Sequence, residues 1–422
     1  MAEDDDDSAR PPTSRGGGRR RFLLITAAVL AFFLLAGGTL AWIAYRKLDG
    51  NIETDATTGR LLERDASGRP DRGAAQAENI LLIGSDDRSG ANAAYGYAGG
   101  RRSDTTILLH LSADRRHATA VSIPRDAMVR VPACELPDGT RTQARLVQFN
   151  WAFEAGGPAC TIRTVERLSG IRVDHHLILD FTGFKRMVNA VGGVEVCVPR
   201  AIHDRNAQLD LAAGRQTLGG EQALGYVRVR ETLGDGSDTQ RMGRQQQFLA
   251  SLIRKVQSQG VLLNPARLWP LLDAATSAIT ADEGLSRVTD LYDLAQDLRS
   301  MSTGNVVFVT TPRRPYPGDW DRDQLVQPQT DQLFAALRAD LPVTVRPYQV
   351  TPSPSPSPSR TPSGLAGPFA PAYTPRPSAD PAEDATTETP YPDAPSASVA
   401  PLPTTGPTLE GRTADQDSCA IH

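Results

Sequence analysis

The chain has 422 residues and a formal net charge of −4, enough length for more than one domain but close to neutral for its size. That balance argues against a bulk nucleic-acid binder, whose footprint is strongly basic. It also means that any cluster of arginines is local rather than a property of the whole surface.

The first 21 residues are charged and rich in Gly and Pro and show no apolar helical pattern. Phe22 to Tyr45 then runs without a charged residue, long enough to cross a bilayer core as one helix. Arg15, Arg19, Arg20 and Arg21 crowd one side, and Arg46 and Lys47 follow the other. This bias favours an N-terminus inside and a single-pass anchor. The competing reading is a cleaved signal peptide, but the apolar core is long for one and no Ala-x-Ala site follows. Residues 46–77 are polar and weakly patterned, a linker. Residues 347–422 alternate Pro with Ser and Thr, a composition that buries no core, and read as a disordered tail.

The folded region expected between them is 78–346. Asn79–Gly84, Thr105–Leu111 and Ala118–Ile123 have the length and β-branched content of strands. A helix is expected over 161–168, a strand over 171–179, a helix over 181–191 and a strand over 194–198. A longer helix starts at Asp238 and runs to about Ser258, with Met242, Leu249, Leu252, Ile253 and Val256 as its apolar stripe. A helix over 283–301 precedes the strand Val306–Thr310. The alternation predicts an α/β domain with a central mixed or antiparallel sheet flanked by helices.

Four cysteines fit an extracytoplasmic compartment, where disulfides persist. Cys134 and Cys160 are the first choice of pair; Cys197 reads equally as a buried apolar cysteine. His175 and His176 lack Cys or His partners at zinc-site spacing and read as strand-edge residues. Trp151 and Phe153 read as core beside Asn150, and Glu195 as solvent-facing. No Walker A or dinucleotide fingerprint is present; Gly99-Gly100 and Gly156-Gly157 read as turn devices.

The acidic and basic residues that flank the strands and helices are Asp86, Arg88, Arg102, Asp104, Arg125, Asp126, Arg228, Arg230, Arg241 and Arg244, with Gln245 beside them. Guanidinium forks bind two phosphate oxygens at once and stay charged. Carboxylate pairs suit a hard divalent cation shared with a substrate phosphate. Arg241 and Gln245 are four apart, on one face near a helix start, where free backbone N–H groups also favour an anion. Taken alone, the same residues read as solvated arginines, a strand-start aspartate and a salt-bridged turn after Pro124.

In order and spacing, these pieces resemble the LytR-CpsA-Psr proteins, in an actinobacterial style. The resemblance covers roughly 78–258. It rests on Asn79–Asp86 (NILLIGSD), Arg102–Leu109 (RSDTTILL), Ser122–Asp126 (SIPRD), Asn150 with Gly156-Gly157, and Val165–Ile171 (VERLSGI). Asp174–His176, Asp180–Phe184 (DFTGF), Gly192–Glu195, Leu224–Arg230 (LGYVRVR) and Arg241–Gln245 (RMGRQ) complete it. It implies a membrane-anchored, metal-dependent phosphotransferase that moves a glycopolymer from a polyprenyl diphosphate-linked donor to peptidoglycan, with the bilayer as a further partner. It implies that Asp86 and Asp104 hold magnesium or manganese, and that Arg102, Arg125, Arg228, Arg230, Arg241 and Gln245 surround the diphosphate. Hydrolysis of such diphosphates, or binding of wall polymer without catalysis, are the rival readings.

Overall fold

The structure is a computed structural model and describes residues 17–74, 76–86, 103–205, 207–229, 238–258, 265–347, 405–416 and 419. Arg88, Arg102 and Arg230 lie outside them, as do Gly99-Gly100 and most of the Pro-rich stretch.

Gly17–Asp49 forms α1, and its segment from Phe22 is long and apolar enough to cross a membrane. Glu53–Thr54 (β1) and Ala56–Arg64 (α2) follow. Then come Glu78–Ser85 (β2), Ser103–Leu111 (β3), Ala118–Ile123 (β4), Met128–Val131 (β5) and Arg145–Gln148 (β6). Trp151–Ser169 (α3), His175–Leu179 (β7), Phe181–Ala190 (α4) and Val194–Val198 (β8) continue the chain. Ile202–Asp204 (β9), Leu209–Leu211 (β10), Gly214–Leu218 (β11), Gly220–Arg228 (α5) and Asp238–Ser258 (α6) are next. Pro265–Thr276 (α7), Ile279–Ala281 (β12), Val288–Ser300 (α8), Val306–Thr310 (β13), Arg313–Tyr316 (β14) and Asp319–Leu325 (β15) follow. Gln329–Arg338 (α9), Thr344–Arg346 (β16) and Thr408–Thr413 (β17) close the series.

Nine strands form one mixed sheet in the order β1-β12-β7-β2-β3-β4-β13-β17-β16. Alternation along its central strands sends side chains to two cores. Leu81, Ile83, Leu108, Val121 and Val309 pack under α3 and α9 with Phe149, Ile162, Val165 and Phe334. Ile80, Ile107, Leu109, Ala120 and Phe308 pack under α6 and α8 with Ala250, Leu294 and Leu298. A third cluster of Val188, Val194, Val196, Tyr226 and Phe248 joins α4, α5 and the β8–β11 hairpin to α6. The expected α/β class with a mixed central sheet and helices on its faces is what the chain adopts.

Several boundaries differ from the sequence reading. The expected linker over 46–77 contributes β1 to the sheet and buries Leu48, Ile52, Leu61 and Leu62. The expected tail over 347–422 does not run free to its end. β17 pairs antiparallel with β13 and parallel with β16, and Cys419 bonds Cys197. The other disulfide is the expected Cys134–Cys160. The strand expected from 171 begins only at 175, because side chains occupy the backbone before it: Ile171 N–H donates to Ser169 Oγ and Val173 N–H to Glu166 Oε1. The helix expected from 161 extends back to Trp151 across a break at Gly156-Gly157, where Gly157 takes φ 63°. That left-handed value suits glycine. The helix expected over 283–301 is shorter, starting at Val288 after a turn capped by Asp282. His175 and His176 open β7, at the strand's edge as expected, and β7 itself lies inside the sheet between β12 and β2. Each is held by a carboxylate, His175 by Asp282 at 2.9 Å and His176 by Asp55 at 3.2 Å. Glu195 is exposed as expected and pairs with Arg215.

Candidate functional site

β2, β7, β4 and β13 run parallel to one another, with β3 antiparallel between β2 and β4. Their C-terminal ends therefore share one edge of the sheet with the start of β3. Ligands of open α/β sheets bind at such an edge, where strand ends and loops leave a crevice. Asp86 follows β2, Asp104 opens β3, Arg125-Asp126 follows β4, and Asp180 follows β7.

The register brings the first two together. Gly84 pairs with Thr105 and Ser85 with Ser103, so Asp104 is the extra residue of a bulge. A bulge re-aims the side chain it carries, and bulges concentrate beside functional sites. Gly84 permits the close approach: a Cβ there would sit 3.1 Å from Thr105 Cβ.

Arg125 ties the corner. Its Nη1 donates to Asp104 Oδ1 at 2.6 Å and its Nε to Asp126 Oδ2 at 3.2 Å. Asp126 accepts a second bond from Gln148 Nε2 at 2.7 Å. The reading of Arg125-Asp126 as a plain salt-bridged turn is thus half of the matter, since the same guanidinium also reaches Asp104. Burial works against the charge on Asp104, but Arg125, Arg241 and Arg228 together hold its carboxyl below the usual value. Residues from β3, the turn after β4, α5 and α6 meet in one field, and three cations bear on one carboxylate.

α5 and α6 supply the rest. Arg228, at the end of α5, lies over the Phe181 ring at 4.8 Å, a cation–π contact that fixes the guanidinium without consuming its charge. Arg241 and Arg244 are buried in α6. Arg244 donates to Val229 O and Gln245 Nε2 to Val227 O at 3.3 Å, so these two fasten the chain just after α5. Gln246, fully buried, donates from Nε2 to Ser122 Oγ at 3.1 Å and Thr310 Oγ1 at 3.0 Å. It pins the arginine helix to the ends of β4 and β13. Sequence reasoning passes over Gln246. The signal is its position: Met242, Gln246, Leu249 and Ile253 share one helical stripe, and a polar residue on an apolar stripe needs a buried partner.

Farther along α6, Arg254 donates to the carbonyls of Ala414 and Gln416, so the C-terminal strand braces the same helix. Burial raises the Tyr226 hydroxyl's pKa, and Arg244 and Arg412 of β17 pull it back.

Trp151 is not core. It is 38% exposed, and its indole N–H donates to Gln148 Oε1 at 3.0 Å. Phe153 is buried as expected.

Among the described residues no group of three or more His, Cys, Asp and Glu is arranged to hold a metal ion. The corner offers instead a pair of carboxylates, Asp86 and Asp104, at adjoining strand ends. Such an oxygen-only set suits magnesium or manganese that shares its remaining positions with substrate phosphate and water.

The LytR_cpsA_psr family model matches residues 45–339. The cell wall biosynthesis protein LcpA of Corynebacterium glutamicum is 35% identical over 315 residues, covering 68% of this chain and 59% of that protein. The polyisoprenyl-teichoic acid–peptidoglycan teichoic acid transferase TagU of Enterococcus faecalis is 28% identical over 264 residues, covering 63% of this chain and 77% of that protein. The chain spans about three fifths of the length of the Corynebacterium relatives it matches. A LytR-Csp2A-Psr enzyme from Actinomyces oris superposes with a TM-score of 0.50 at 22% identity, over 64% of this chain and 93% of that one. The family match extends from the end of α1 through α9 and takes in every strand end that builds the corner, and on that ground the chain belongs to the LytR_cpsA_psr family.

Proposed function

We propose that this chain is a membrane-anchored transferase that moves a glycopolymer from a polyprenyl diphosphate-linked donor to peptidoglycan, forming a phosphodiester. The observation that carries the reading is the convergence of Arg125, Arg241 and Arg228 on Asp104 at the carboxyl edge of the sheet. A transferred phosphoryl group needs positioning and neutralisation of its oxygens more than covalent help, and guanidinium groups drawn together at the corner supply both. The TagU relative is named for a teichoic acid transfer of this kind. Arg102 and Arg230 extend the same cationic set in sequence. α1 anchors the chain with its N-terminus inside and the domain outside, so that the site meets lipid-linked donor at the bilayer and wall acceptor beyond it.

In the reaction, an acceptor hydroxyl oxygen forms a bond to the glycan-bearing phosphorus. The phosphoanhydride bond breaks, polyprenyl phosphate leaves, and the hydroxyl proton passes to a carboxylate at the site. Arg125, Arg228 and Arg241 hold the diphosphate oxygens as charge moves onto the leaving phosphate. Asp86 and Asp104 would hold magnesium or manganese, which supplies Lewis-acid polarisation of a phosphoryl oxygen. Gln246 and Gln245 keep the arginine helix in place.

The test uses purified full-length protein with lipid-linked donor and peptidoglycan acceptor. Arg125→Ala and Asp104→Ala are expected to lower transfer about a hundredfold, roughly 3 kcal/mol of transition-state stabilisation, with the fold intact. Normal transfer by both variants would overturn the assignment. Product analysis separates transfer, which leaves glycan on wall fragments, from hydrolysis.

A further inference from the structure

The chain has four tryptophans, and they divide into two pairs. Trp42 lies in α1 under Arg46 at 5.5 Å, and Trp269 carries Lys47 at 5.8 Å. Trp42 from α1 and Trp269 from α7 both sit beside the basic end of the apolar helix, at the level where interfacial aromatics gather. Trp151 and Trp320 are elsewhere. Both are exposed, Trp320 at 84%, and both are tied to Asp126.

Trp151 reaches Asp126 through one side chain, since Gln148 accepts from its indole and donates to Asp126 Oδ1. Trp320 reaches it through one strand. It stands in β15, three residues before Asp323. The Asp323 N–H donates to Asp126 O at 3.0 Å, and Ala127 and Asp323 form a parallel bridge. At the rise of an extended strand, Trp320 stands about 10 Å from that anchor. The hairpin is stiffened by the buried Arg313–Asp323 ion pair and closed at Gly318, φ 87°. Trp320, 84% exposed on a braced hairpin, buries little of its ring within the chain, and both indoles flank the segment around Asp126.

We propose that Trp151 and Trp320 form the acceptor subsite, a pair of indole faces on which sugar rings of a wall glycan strand stack beside the Arg125-Asp126 turn. This rests on the proposed transfer function. The electron-rich face of an indole attracts the C–H face of a pyranose, while its surroundings bond the hydroxyls. Asp319, Trp320, Asp321 and Arg322 carry a net negative charge, and Arg322 pairs with Asp319 at 3.3 Å. The hydroxyls and acetamides of a wall glycan can donate to the carboxylates of Asp319 and Asp321. The indoles thus lie on the acceptor side of the arginine corner.

The test uses full-length protein in lipid nanodiscs with Trp42→Phe and Trp269→Phe, so that only Trp151 and Trp320 fluoresce. Soluble, uncrosslinked peptidoglycan glycan strands are titrated without donor, and acceptor KM is measured separately with donor. The expected result is a saturable change in emission, and loss of strand binding by Trp151→Ala plus Trp320→Ala when the same titration is followed by calorimetry. Trp320→Ala alone should raise acceptor KM about tenfold, roughly 1.4 kcal/mol, with most of it restored by Trp320→Phe. Emission unmoved by the strands, or an unchanged acceptor KM in the double variant, would overturn the subsite. Strand binding by a wild-type protein that transfers nothing would uphold the subsite and sink the transfer function instead.

Discussion

Around Glu166 the ion pairs are closed inside the fold; around Asp104 they stand at the edge of the sheet, where the Asp104 side chain stays 29% exposed. Glu166 is fully buried and accepts from Arg69 Nε at 2.9 Å, Arg69 Nη2 at 2.6 Å and Val173 N–H at 3.1 Å. Arg163 lies 3.5 Å from Glu166 and pairs with Asp65 at 2.7 Å. The cluster joins α3 to the segment before β2. The Asp104 corner uses the same residue types, with the Arg125 and Asp104 side chains partly accessible at the strand ends. A buried, saturated cluster makes a structural joint, while accessible guanidinium groups can also hold a substrate anion.

Breaking the first cluster should cost stability. Glu166→Ala leaves buried Arg69 without its carboxylate and is expected to lose about 3–5 kcal/mol in urea unfolding, with transfer per folded molecule retained. Breaking the second should cost function: Arg125→Ala, with its hundredfold loss of transfer, should shift unfolding by less than Glu166→Ala does, because the Asp104 side chain keeps 29% of its surface accessible. Gln246→Leu sharpens the contrast. It strips Ser122 and Thr310 of a shared donor, at about 1–2 kcal/mol of stability, and should lower transfer further by loosening α6.

The smallest effect is acid dependence in a third charged group, at His175 and His176. Burial opposes ionisation of Asp55, but His176 and Thr58 outweigh it and bring its pKa down to about 2. The folded value lies below the unfolded one, so its stabilisation is present above about pH 4 and lost as pH falls toward 2. Asp55→Asn should remove that part of an acid-unfolding curve. The His175 pKa moves the other way, raised by Asp282. Its contribution is full below its ordinary value and fades as pH rises through the raised one.

Much of the sheet is legible in the chain. β2, β3, β4, β8 and β13 are short apolar runs with clear stops, and α6 shows its stripe. The corner is legible as chemistry, because arginines and aspartates at strand ends point to an anion. Their convergence comes through the motif series rather than periodicity, since Asp104, Arg125, Arg228 and Arg241 meet through tertiary folding. Elements that depend on distant partners are not legible. β1 is two residues long and exists because β12 accepts it. β17 reads Thr-Leu-Glu-Gly-Arg-Thr after a Pro-rich run and is a strand because β13 and β16 leave a place between them. Trp151 has the composition of a core residue, and only its bond to Gln148 reveals a rim position.

The C-terminal strand has a consequence for how the protein would respond to a protease. Residues 348–404 join β16 to β17, and those strands are neighbours in one sheet. A single cut between them would not shed the end of the chain. The fragment carrying β17 would stay hydrogen-bonded to β13 and covalently held through Cys419 to Cys197. Such a nicked molecule should migrate as one species on a denaturing gel without reductant and as two once thiol is added.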